Sequence, residues 1–475
     1  MQFDIVAFSI TYEEHIFEIA KALEKWKISP FKNNRSDNAP LLLGGGIGLY
    51  YNPVPFFPML DVIYLGEAEE RMEKIFENLS GIKEKKNLIQ TLSGFDNIIV
   101  TENYKFKYKG ERTIEIIGEK KHIFRSDKYP ERLSCSCFIT EETVFKNIGL
   151  IEINRGCTEK CRFCVASTMG LPYREKKIEI IEKEIASISK YTDKIGLIGT
   201  SVTEYSKMEK LHYILKKYKV KATFSSLKVS QKPETTLKIL KESEQKTVTL
   251  APETGREDKR IAMNKKVKND EFFHFCEKLF EDGAENLKLY FLTGIPEETE
   301  KDLEAIAEMV REFHSIIMKF WKIRKKTGKI SVSVNPLIAK PFTPMQWYGM
   351  PKKSQIEKNL RFLKKLLGKI PNTSLSHENT KNAIFQAVIS RGDERVGVAA
   401  IKAINGNINF RKSLKEENLK IDSLYTRERD KDEFFPWEVV NSGIKRKYLR
   451  KEYENIYKKE PSPKCFKKCK LCGLC

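Results

Sequence analysis

The chain has 475 residues, of which 40% are hydrophobic, and a formal net charge of +21. This length allows two or three domains, and the hydrophobic fraction is sufficient for globular cores. The basic excess favours polyanionic partners such as RNA, DNA or an acidic membrane face. A Lys-rich proteome would produce the same excess, so charge alone leaves both explanations open.

The N-terminal region predicts a cytoplasmic protein without membrane spans. Residues 1–4 lack the basic start of a secretory signal. Residues 41–60 are uncharged but contain four glycines and three prolines, and a helix of that content would not survive in lipid. We therefore expect no membrane partner and a reducing compartment, in which clustered cysteines are metal ligands.

Strands and helices alternate over residues 1–95. A strand is predicted at 3–9 and a helix at 13–26, and two later strands end in glycines, at Gly44-Gly45-Gly46 and at Gly66. This pattern predicts a small Rossmann-like α/β domain with parallel strands. Residues 96–145 follow, with alternating apolar and polar side chains, and predict a β-rich linker.

Six β/α repeats are predicted within residues 146–370. Helical periodicity separates six strands, at 148–154, 194–199, 221–226, 246–251, 285–293 and 329–335. Six units form an open, partial (β/α)6 TIM-like barrel, so the predicted fold class is α/β. The active site of such a barrel lies at the C-terminal ends of its strands. Residues 371–475 predict an α+β extension with a Cys-rich tail.

Three cysteines follow the first barrel strand in the spacing C-x3-C-x2-C: Cys157, Cys161 and Cys164. Three thiolates can hold three irons of a 4Fe–4S cluster and leave the fourth iron open to a small molecule. Structural zinc is the alternative, but it usually takes four ligands and no fourth is near in sequence. We expect Arg155, Lys160 and Arg162 to favour the thiolate state.

The run from Asn154 to Cys164, with Phe163 before the third cysteine, resembles the signature of the radical S-adenosylmethionine (SAM) superfamily. The resemblance implies that the open iron binds SAM and that Phe163 belongs to the cofactor site. It also implies that one electron, from a donor of flavodoxin or ferredoxin type, cleaves SAM to methionine and a 5′-deoxyadenosyl radical. This radical abstracts hydrogen from a substrate that the resemblance does not identify.

Loops at the ends of the later barrel strands fit the same resemblance. The residues that it implies as SAM contacts are Gly199, Thr200, Ser201, Ser225, Ser226, Glu253 and Gly294. Each loop taken alone is compatible with a purely structural role. Together, on successive strand ends, they favour the barrel.

Motifs outside the barrel resemble one branch of the superfamily, in which a cobalamin-binding-like domain precedes the barrel and a Cys-rich tail follows it. They include Gly44-Gly45-Gly46, Asn52-Pro53, Gly66-Glu67 and Ser390-Arg391-Gly392-Asp393. Cobalamin domains often supply a histidine from an Asp-x-His-x-x-Gly loop. His15 is the nearest candidate, but it lacks the Asp and the Gly and falls in a predicted helix, so cobalamin binding stays open.

The tail carries four further cysteines in the spacing C-x3-C-x2-C-x2-C: Cys465, Cys469, Cys472 and Cys475. Zinc held by four thiolates is one interpretation, and a second 4Fe–4S cluster is another. Redox or sulfur-carrying thiols on a mobile tail are a third. The remaining cysteines, Cys135, Cys137 and Cys276, are expected to be structural.

The leading prediction is a radical SAM enzyme that acts on an unknown substrate. The suggested reaction is RNA modification by sulfur or methyl transfer, as in a methylthiotransferase or a methyltransferase. The alternative is a non-catalytic, metal-bearing RNA-binding module with structural cysteine clusters. The two hypotheses differ in the metal, because the enzyme requires iron and sulfide whereas structural cysteines favour zinc.

Overall fold

The structure, a computed structural model, describes residues 3–131, 134–229, 233–466 and 469–474. Within these ranges strands and helices alternate along most of the chain, which confirms the predicted α/β fold class. An N-terminal α/β unit, a partial barrel and a C-terminal extension follow one another. One continuous apolar core joins them, because buried side chains of each part contact those of the others.

The N-terminal unit is built on a four-stranded sheet in the order β1-β2-β3-β4. Its strands are β1 (Ile5–Ser9), β2 (Leu41–Gly45), β3 (Val62–Tyr64) and β4 (Ile98–Val100), and its helices are α1 (His15–Lys25), α2 (Ile47–Tyr51), α3 (Met72–Leu79) and α4 (Lys85–Ser93). The first three strands are parallel, as predicted for a Rossmann-like unit. The fourth is antiparallel, which the sequence did not indicate.

The uncharged segment 41–60 forms the centre of this unit. Leu42 of β2 enters the main apolar core, whereas Leu41 and Leu43 enter a second apolar cluster with residues of α3 and α4. A strand buried on both faces needs a continuous apolar sequence, which explains the lack of charge. No helix within the described ranges is long and apolar enough to cross a membrane.

The linker contains an antiparallel hairpin of β5 (Lys105–Lys109) and β6 (Arg112–Ile117). A short strand, β7 (Lys121–His122), follows and pairs in parallel with β16 (Val440–Asn441) of the C-terminal extension. The linker therefore joins the N-terminal unit to the last part of the chain as well as to the barrel.

The barrel wall consists of two parallel sheets, in the orders β11-β10-β8 and β12-β13-β14-β15. Its strands are β8 (Gly149–Arg155), β10 (Lys194–Gly199), β11 (Lys221–Phe224), β12 (Thr247–Glu253), β13 (Asn286–Thr293), β14 (Ile330–Pro336) and β15 (Thr373–Ser376), and β9 (Arg174–Glu175) pairs antiparallel with the end of β8. The six predicted strands are all present, and β15 extends the second sheet. Strand β11 ends at Phe224, two residues earlier than predicted.

Helices alternate with the barrel strands. They are α5 (Ile178–Ile188), α6 (Met208–Lys217), α7 (Glu234–Glu242), α8 (Glu257–Ala262), α9 (Asn269–Glu281), α10 (Glu300–Arg324) and α11 (Lys353–Leu367). The longest, α10, begins at a capping box in which the Asp302 carboxylate accepts from the Thr299 amide at 2.7 Å. This cap fixes the loop that connects β13 to α10.

The C-terminal extension packs directly on the N-terminal unit. Its helices are α12 (Thr380–Ser390), α13 (Glu394–Asn405), α14 (Phe410–Glu416), α15 (Ile421–Thr426) and α16 (Arg446–Lys458). The Asn52 amide donates to the carbonyls of Ser390 (3.2 Å) and Gly392 (2.7 Å). A Cβ at Gly397 would lie 1.8 Å from the Pro55 carbonyl oxygen, so α13 requires glycine there. The Asn52-Pro53 and Ser390–Asp393 motifs therefore join the two ends of the fold.

Candidate active site at the strand ends

The three cysteines of C-x3-C-x2-C lie in the loop that leaves β8. The loop turns sharply at Gly156, whose φ is +78°. A Cβ at Gly156 would lie 2.5 Å from the Gly170 carbonyl oxygen, so glycine is needed both for the backbone angle and for the close approach. Cys157, Cys161 and Cys164 follow, and all three are half-buried. We call residues 156–164 the first cysteine loop.

The three thiols of this loop influence one another. Burial raises the pKa of Cys157 to about 11, and the charge of Cys164 adds to this effect. Burial also raises the pKa of Cys161, with contributions from Cys164 and Cys157, and burial raises the pKa of Cys164. Buried thiols of this kind hold their protons until a metal replaces them.

A buried ammonium group faces the same thiols. Lys265 donates from Nζ to Glu253 Oε1 at 2.8 Å, and its charge lowers the pKa of Cys161 against the effect of burial. Charges of Glu253, Cys161 and Cys164 in turn raise the pKa of Lys265 against its own burial. The site therefore combines three thiols with the Lys265–Glu253 ion pair.

The donor set fits an iron–sulfur cluster with three protein ligands. Within the described part of the chain, no three Cys, His, Asp or Glu side chains are placed to enclose a single metal ion. Thiolates of a 4Fe–4S cube bind different irons and so need not converge on one point. Backbone amides of Ala166 and Ser167 donate to the Cys164 sulfur, a hydrogen-bonding pattern that tunes cluster sulfurs.

The end of β10 lies against the start of the first cysteine loop. Asn154 donates from Nδ2 to the Ser201 carbonyl at 2.8 Å, and its Oδ1 accepts from the Ser201 amide at 3.2 Å. A Cβ at Gly199 would lie 2.4 Å from the same Oδ1 atom. Gly199 and Ser201 are thus held against Asn154, three residues before Cys157, and Thr200 between them is exposed.

Two further predicted residues lie at the ends of β12 and β13. Glu253 is the last residue of β12 and reaches the first cysteine loop through Lys265. Gly294 directly follows β13, and its amide donates to Glu298 Oε2 at 2.7 Å. Ser225 and Ser226 are exposed beyond the end of β11, and Phe163 packs at the edge of the main core. The predicted strand-end residues therefore differ in how closely they approach the loop.

Glu298 holds the Gly294 loop in place, a role that the sequence did not predict. Its Oε2 atom also accepts from Thr293 Oγ1 and Asn359 Nδ2, both at 2.8 Å. Burial raises the Glu298 pKa to about 7. In sequence Glu298 stands directly before the helix cap Thr299, where an acidic residue is compatible with the helix dipole alone.

A cavity of about 700 Å3 lies between the N-terminal unit and the first cysteine loop. The ends of β1 and β2 and the Gly44-Gly45-Gly46 turn line it. Gly156, Gly170 and Thr200 line it as well. Residues of both the N-terminal unit and the barrel therefore border this space, and glycines from each allow a ligand to approach the backbone closely.

The charged groups of this cavity are paired. Arg155 donates to both oxygens of Glu152, each at 2.9 Å, and also contacts Glu69. Arg174 pairs with Glu67 at 2.7 Å. The remaining lining includes apolar side chains such as Phe8. Arg155 thus belongs to the cavity wall, where the sequence had suggested support for the thiolates.

The C-terminal tail docks on the first cysteine loop. Arg162, which the sequence assigned to the thiolates, instead pairs with Glu452 of α16 at 3.1 Å. The Cys465 amide donates to the Thr158 carbonyl at 2.7 Å, and Cys469 and Cys472 are buried. The predicted Cys475 ligand lies outside the described residues. No sequence pattern indicated this docking.

The remaining cysteines lie apart from both sets. Cys276 is buried in α9, which fits a structural role. Cys135 pairs through its backbone with Ile151 of β8, and Cys137 is exposed.

Comparison with known proteins gives two family matches. Residues 1–100 match the family described as radical SAM proteins, N-terminal, and residues 151–310 match the radical SAM superfamily. The chain is 28% identical over 402 residues to the uncharacterized protein MJ0966 of Methanocaldococcus jannaschii, covering 83% of this chain and 79% of that protein.

Two further relatives are named tRNA-2-methylthio-N(6)-dimethylallyladenosine synthase. The protein of Petrotoga mobilis is 25% identical over 251 residues, which are 49% of this chain and 55% of the synthase. That of Anaplasma phagocytophilum is 25% identical over 193 residues, 38% and 43% of the two chains. The chain thus matches about half the length of each synthase.

Solved structures show more distant likeness. SuiB of Streptococcus suis bound to SAM has 16% identity and a TM-score of 0.34, over 49% of this chain and 52% of SuiB. Coproporphyrinogen III oxidase of Escherichia coli has 13% identity and a TM-score of 0.34, over 46% and 52%. The two family matches, which cover the N-terminal unit and most of the barrel, show that this chain is an enzyme of the radical SAM superfamily.

Proposed function

We propose that the chain holds a 4Fe–4S cluster through Cys157, Cys161 and Cys164, cleaves SAM reductively and acts on a substrate in the cavity between the N-terminal unit and the barrel. The cluster, when bound, supplies the electron that converts SAM into a 5′-deoxyadenosyl radical. One observation carries the proposal: the cavity reaches Gly156, the residue directly before the first cysteine ligand. A substrate there lies beside the site at which the radical forms.

The chain's own residues hold and shield the reacting groups. We assign SAM contacts to the strand ends: Phe163, Gly199, Thr200, Ser201, Ser225, Ser226, Glu253 and Gly294. Asn154 fixes the end of β10 against the loop, and Glu298 fixes the Gly294 turn. Lys265 offsets the negative charge that three thiolates bring to the site.

RNA modification by sulfur or methyl transfer is our proposal for the reaction that follows hydrogen abstraction. The net charge of +21 supports it, because basic proteins bind polyanions. So do the two relatives whose names describe methylthio transfer to tRNA, although each matches the chain over half its length or less. A methylthiotransferase-like or methyltransferase-like reaction fits both observations.

The further cofactors and partners are also proposals. The tail cysteines hold a metal, as zinc or as a second iron–sulfur cluster, and a flavodoxin- or ferredoxin-type protein supplies electrons. We place the enzyme in the cytoplasm, where clustered cysteines remain reduced. We do not assign His15 as a cobalt ligand, because it is the first residue of α1 and its Nδ1 accepts from the Thr11 amide at 3.4 Å, and cobalamin binding without a histidine ligand stays open.

Anaerobic reconstitution with iron and sulfide tests the proposed function. The parent chain should form 5′-deoxyadenosine from SAM when dithionite is the reductant. A variant with Cys157, Cys161 and Cys164 all changed to Ala should lose about four irons per chain and form none. Cys137→Ser, at an exposed cysteine outside both sets, is the control. Zinc in place of iron, with no 5′-deoxyadenosine, would favour the non-catalytic alternative.

The RNA proposal needs a separate test. Modified nucleosides are compared between cells with and without the gene, together with small metabolites. Loss of one methylated or methylthiolated nucleoside would support RNA as the substrate. An unchanged set of nucleosides with an altered metabolite would contradict it. Binding of purified RNA should also weaken steeply as salt is raised.

A further inference from the structure

Residues between the cysteines of the first loop hold the C-terminal tail. The Thr158 carbonyl accepts from the Cys465 amide at 2.7 Å. Glu159 pairs with Lys464 at 2.5 Å. Thr158 immediately follows the first cluster cysteine, and Cys465 is the first cysteine of the tail. One hydrogen bond therefore connects the backbones of two cysteine sets that are more than 300 residues apart in sequence.

Lys160 contacts a tail thiol directly. Its side chain is only 5% exposed, and its Nζ lies 3.7 Å from Cys469 Sγ and 5.4 Å from the centre of the Tyr448 ring. Its backbone is left-handed (φ +57°), and Asn264 Nδ2 donates to its carbonyl at 3.0 Å. Burial of an ammonium group is costly unless an anion faces it. A neutral thiol supplies no such charge, whereas a metal-bound thiolate does.

Arg125 is a second cation beside the tail cysteines. It donates from Nη1 to the Ser442 carbonyl at 3.0 Å and from Nε to the Met169 carbonyl at 3.3 Å. Its Nη2 atom is buried with no hydrogen-bond partner among the described residues. Burial lowers the Arg125 pKa to about 10, and charges on Tyr50, Glu67 and, least of all, Cys472 oppose that shift. A buried donor without a partner in the described ranges thus lies within electrostatic reach of Cys472.

We propose that Cys465, Cys469 and Cys472 bind a second, redox-active iron–sulfur centre, and that Lys160 is a positioning residue that couples this centre to the first cysteine loop. The inference rests on the proposed function of the first loop. A cluster held by thiolates carries net negative charge, which the charges of Lys160 and Arg125 would offset. Zinc bound by the same thiolates would also balance the charges of Lys160 and Arg125, but zinc cannot accept an electron.

The geometry gives this second centre a role in electron entry. A flavodoxin- or ferredoxin-type protein delivers one electron at the tail, and the same electron passes to the first loop across the Cys465–Thr158 contact. The donor is oxidised and the first loop's centre is reduced by that one electron. The transfer makes and breaks no covalent bond and moves no proton, so it needs no further reactant.

Metal content of the full-length chain gives the first test. After anaerobic reconstitution, the parent and Cys137→Ser should hold about eight irons per chain, and a variant with Cys465, Cys469 and Cys472 all changed to Ser about four. Paramagnetic resonance of the fully reduced parent should show broadening by two interacting centres, which the tail variant loses. Zinc at the tail, or an iron count that the tail variant leaves unchanged, would overturn the proposal.

Lys160 variants test the coupling even if the tail variant fails to fold. Lys160→Met should lower the reduction potential of the tail centre, because loss of a cation disfavours added negative charge, whereas Lys160→Arg should keep it. A merely structural lysine would affect stability but not potential. Equal potentials in Lys160→Met and the parent would therefore contradict the proposed coupling.

The electron donor separates this inference from the proposed function. Dithionite can reduce the first loop's centre directly, whereas a protein donor must use the proposed entry point. The ratio of flavodoxin-driven to dithionite-driven 5′-deoxyadenosine formation should fall at least tenfold in the tail variant. An unchanged ratio would overturn electron entry at the tail. No 5′-deoxyadenosine with either reductant, in a parent chain that contains eight irons, would overturn the proposed function instead.

Discussion

Arg162 and Glu452 form a buried ion pair that joins the first cysteine loop to α16. The Nε of Arg162 lies 3.1 Å from Glu452 Oε2, and the arginine side chain is fully buried. Its Nη1 donates to the Ala262 carbonyl at 2.7 Å and its Nη2 to the Glu460 carbonyl at 2.6 Å. One guanidinium group thus holds the loop, the barrel and the start of the tail together.

Glu452→Gln tests this junction. Loss of the carboxylate leaves the Arg162 charge buried without its partner, which costs about 3 kcal/mol of stability. We expect a lower unfolding midpoint and faster tryptic cleavage after residue 458. Glu454→Gln is the matched control on the same helix, because Glu454 pairs at the surface, with Lys431 at 3.1 Å and with Arg450 at 3.8 Å. Equal cleavage of the two variants would show that the ion pair does not hold the tail.

Gly156→Ala should impair the first cysteine loop. The new methyl group would meet the Gly170 carbonyl oxygen at 2.5 Å and force a left-handed residue to carry a Cβ. Holding alanine at a left-handed backbone angle alone costs about 1 kcal/mol, and the steric contact adds to this cost. We expect the first cysteine loop of the variant to hold less than half of the iron that it holds in the parent after reconstitution. Gly110→Ala is the control, since its φ is +60° but its Cβ would meet nothing within 4 Å.

The raised pKa of Glu298 predicts that the protein loses stability as pH rises. Its folded pKa of about 7 exceeds the unfolded value of 4.5, so the folded chain retains a proton that the unfolded chain has lost. The free energy of unfolding should therefore be unaffected below pH 4.5, fall by about 3 kcal/mol between pH 4.5 and 7, and stay constant above pH 7. Unfolding midpoints at pH 5 and 8 measure this effect. Glu298→Gln should remove most of the difference, and a difference as large as the parent's would exclude Glu298 as its source.

Ala7→Trp should block the cavity between the two domains. Ala7 lies on β1, lines the cavity and is exposed to it, so a large side chain fills the space without displacing the core. Cells that carry this variant should show the same altered nucleoside or metabolite as cells without the gene. Ala7→Val, which adds only two methyl groups, should behave like the parent. A normal profile with Ala7→Trp would place the substrate elsewhere.

The barrel could be predicted closely because its strands have a simple sequence pattern. Apolar runs that end at glycine or polar residues predicted six strands, and the bounds of all six lie within two residues of those observed. The sequence Thr373–Ser376 gave no such signal, since three of its four residues are polar, and β15 was missed. Ser225 and Ser226 were assigned to a strand because serine is compatible with both a strand and the loop after it.

The three cysteines of the first loop stood out because their spacing is local. The docking of the tail could not be predicted, because a charged residue between cysteines looks the same in sequence whether it faces a cluster or a distant helix. Arg162 shows this difficulty, since only tertiary structure reveals Glu452 as its partner. The cavity was missed for the same reason, although the glycine-rich strand ends of both domains were noted separately.

The contact of Asn52 with the loop after α12 constrains how the protein matures on the ribosome. Asn52 is synthesised 338 residues before Ser390, so the contact between them can form only after the extension has been made. Until then this part of the N-terminal unit is uncovered. Lys464 and Cys465, which contact Glu159 and Thr158, are made later still. The first cysteine loop is therefore synthesised in full before its contacts with the tail can form.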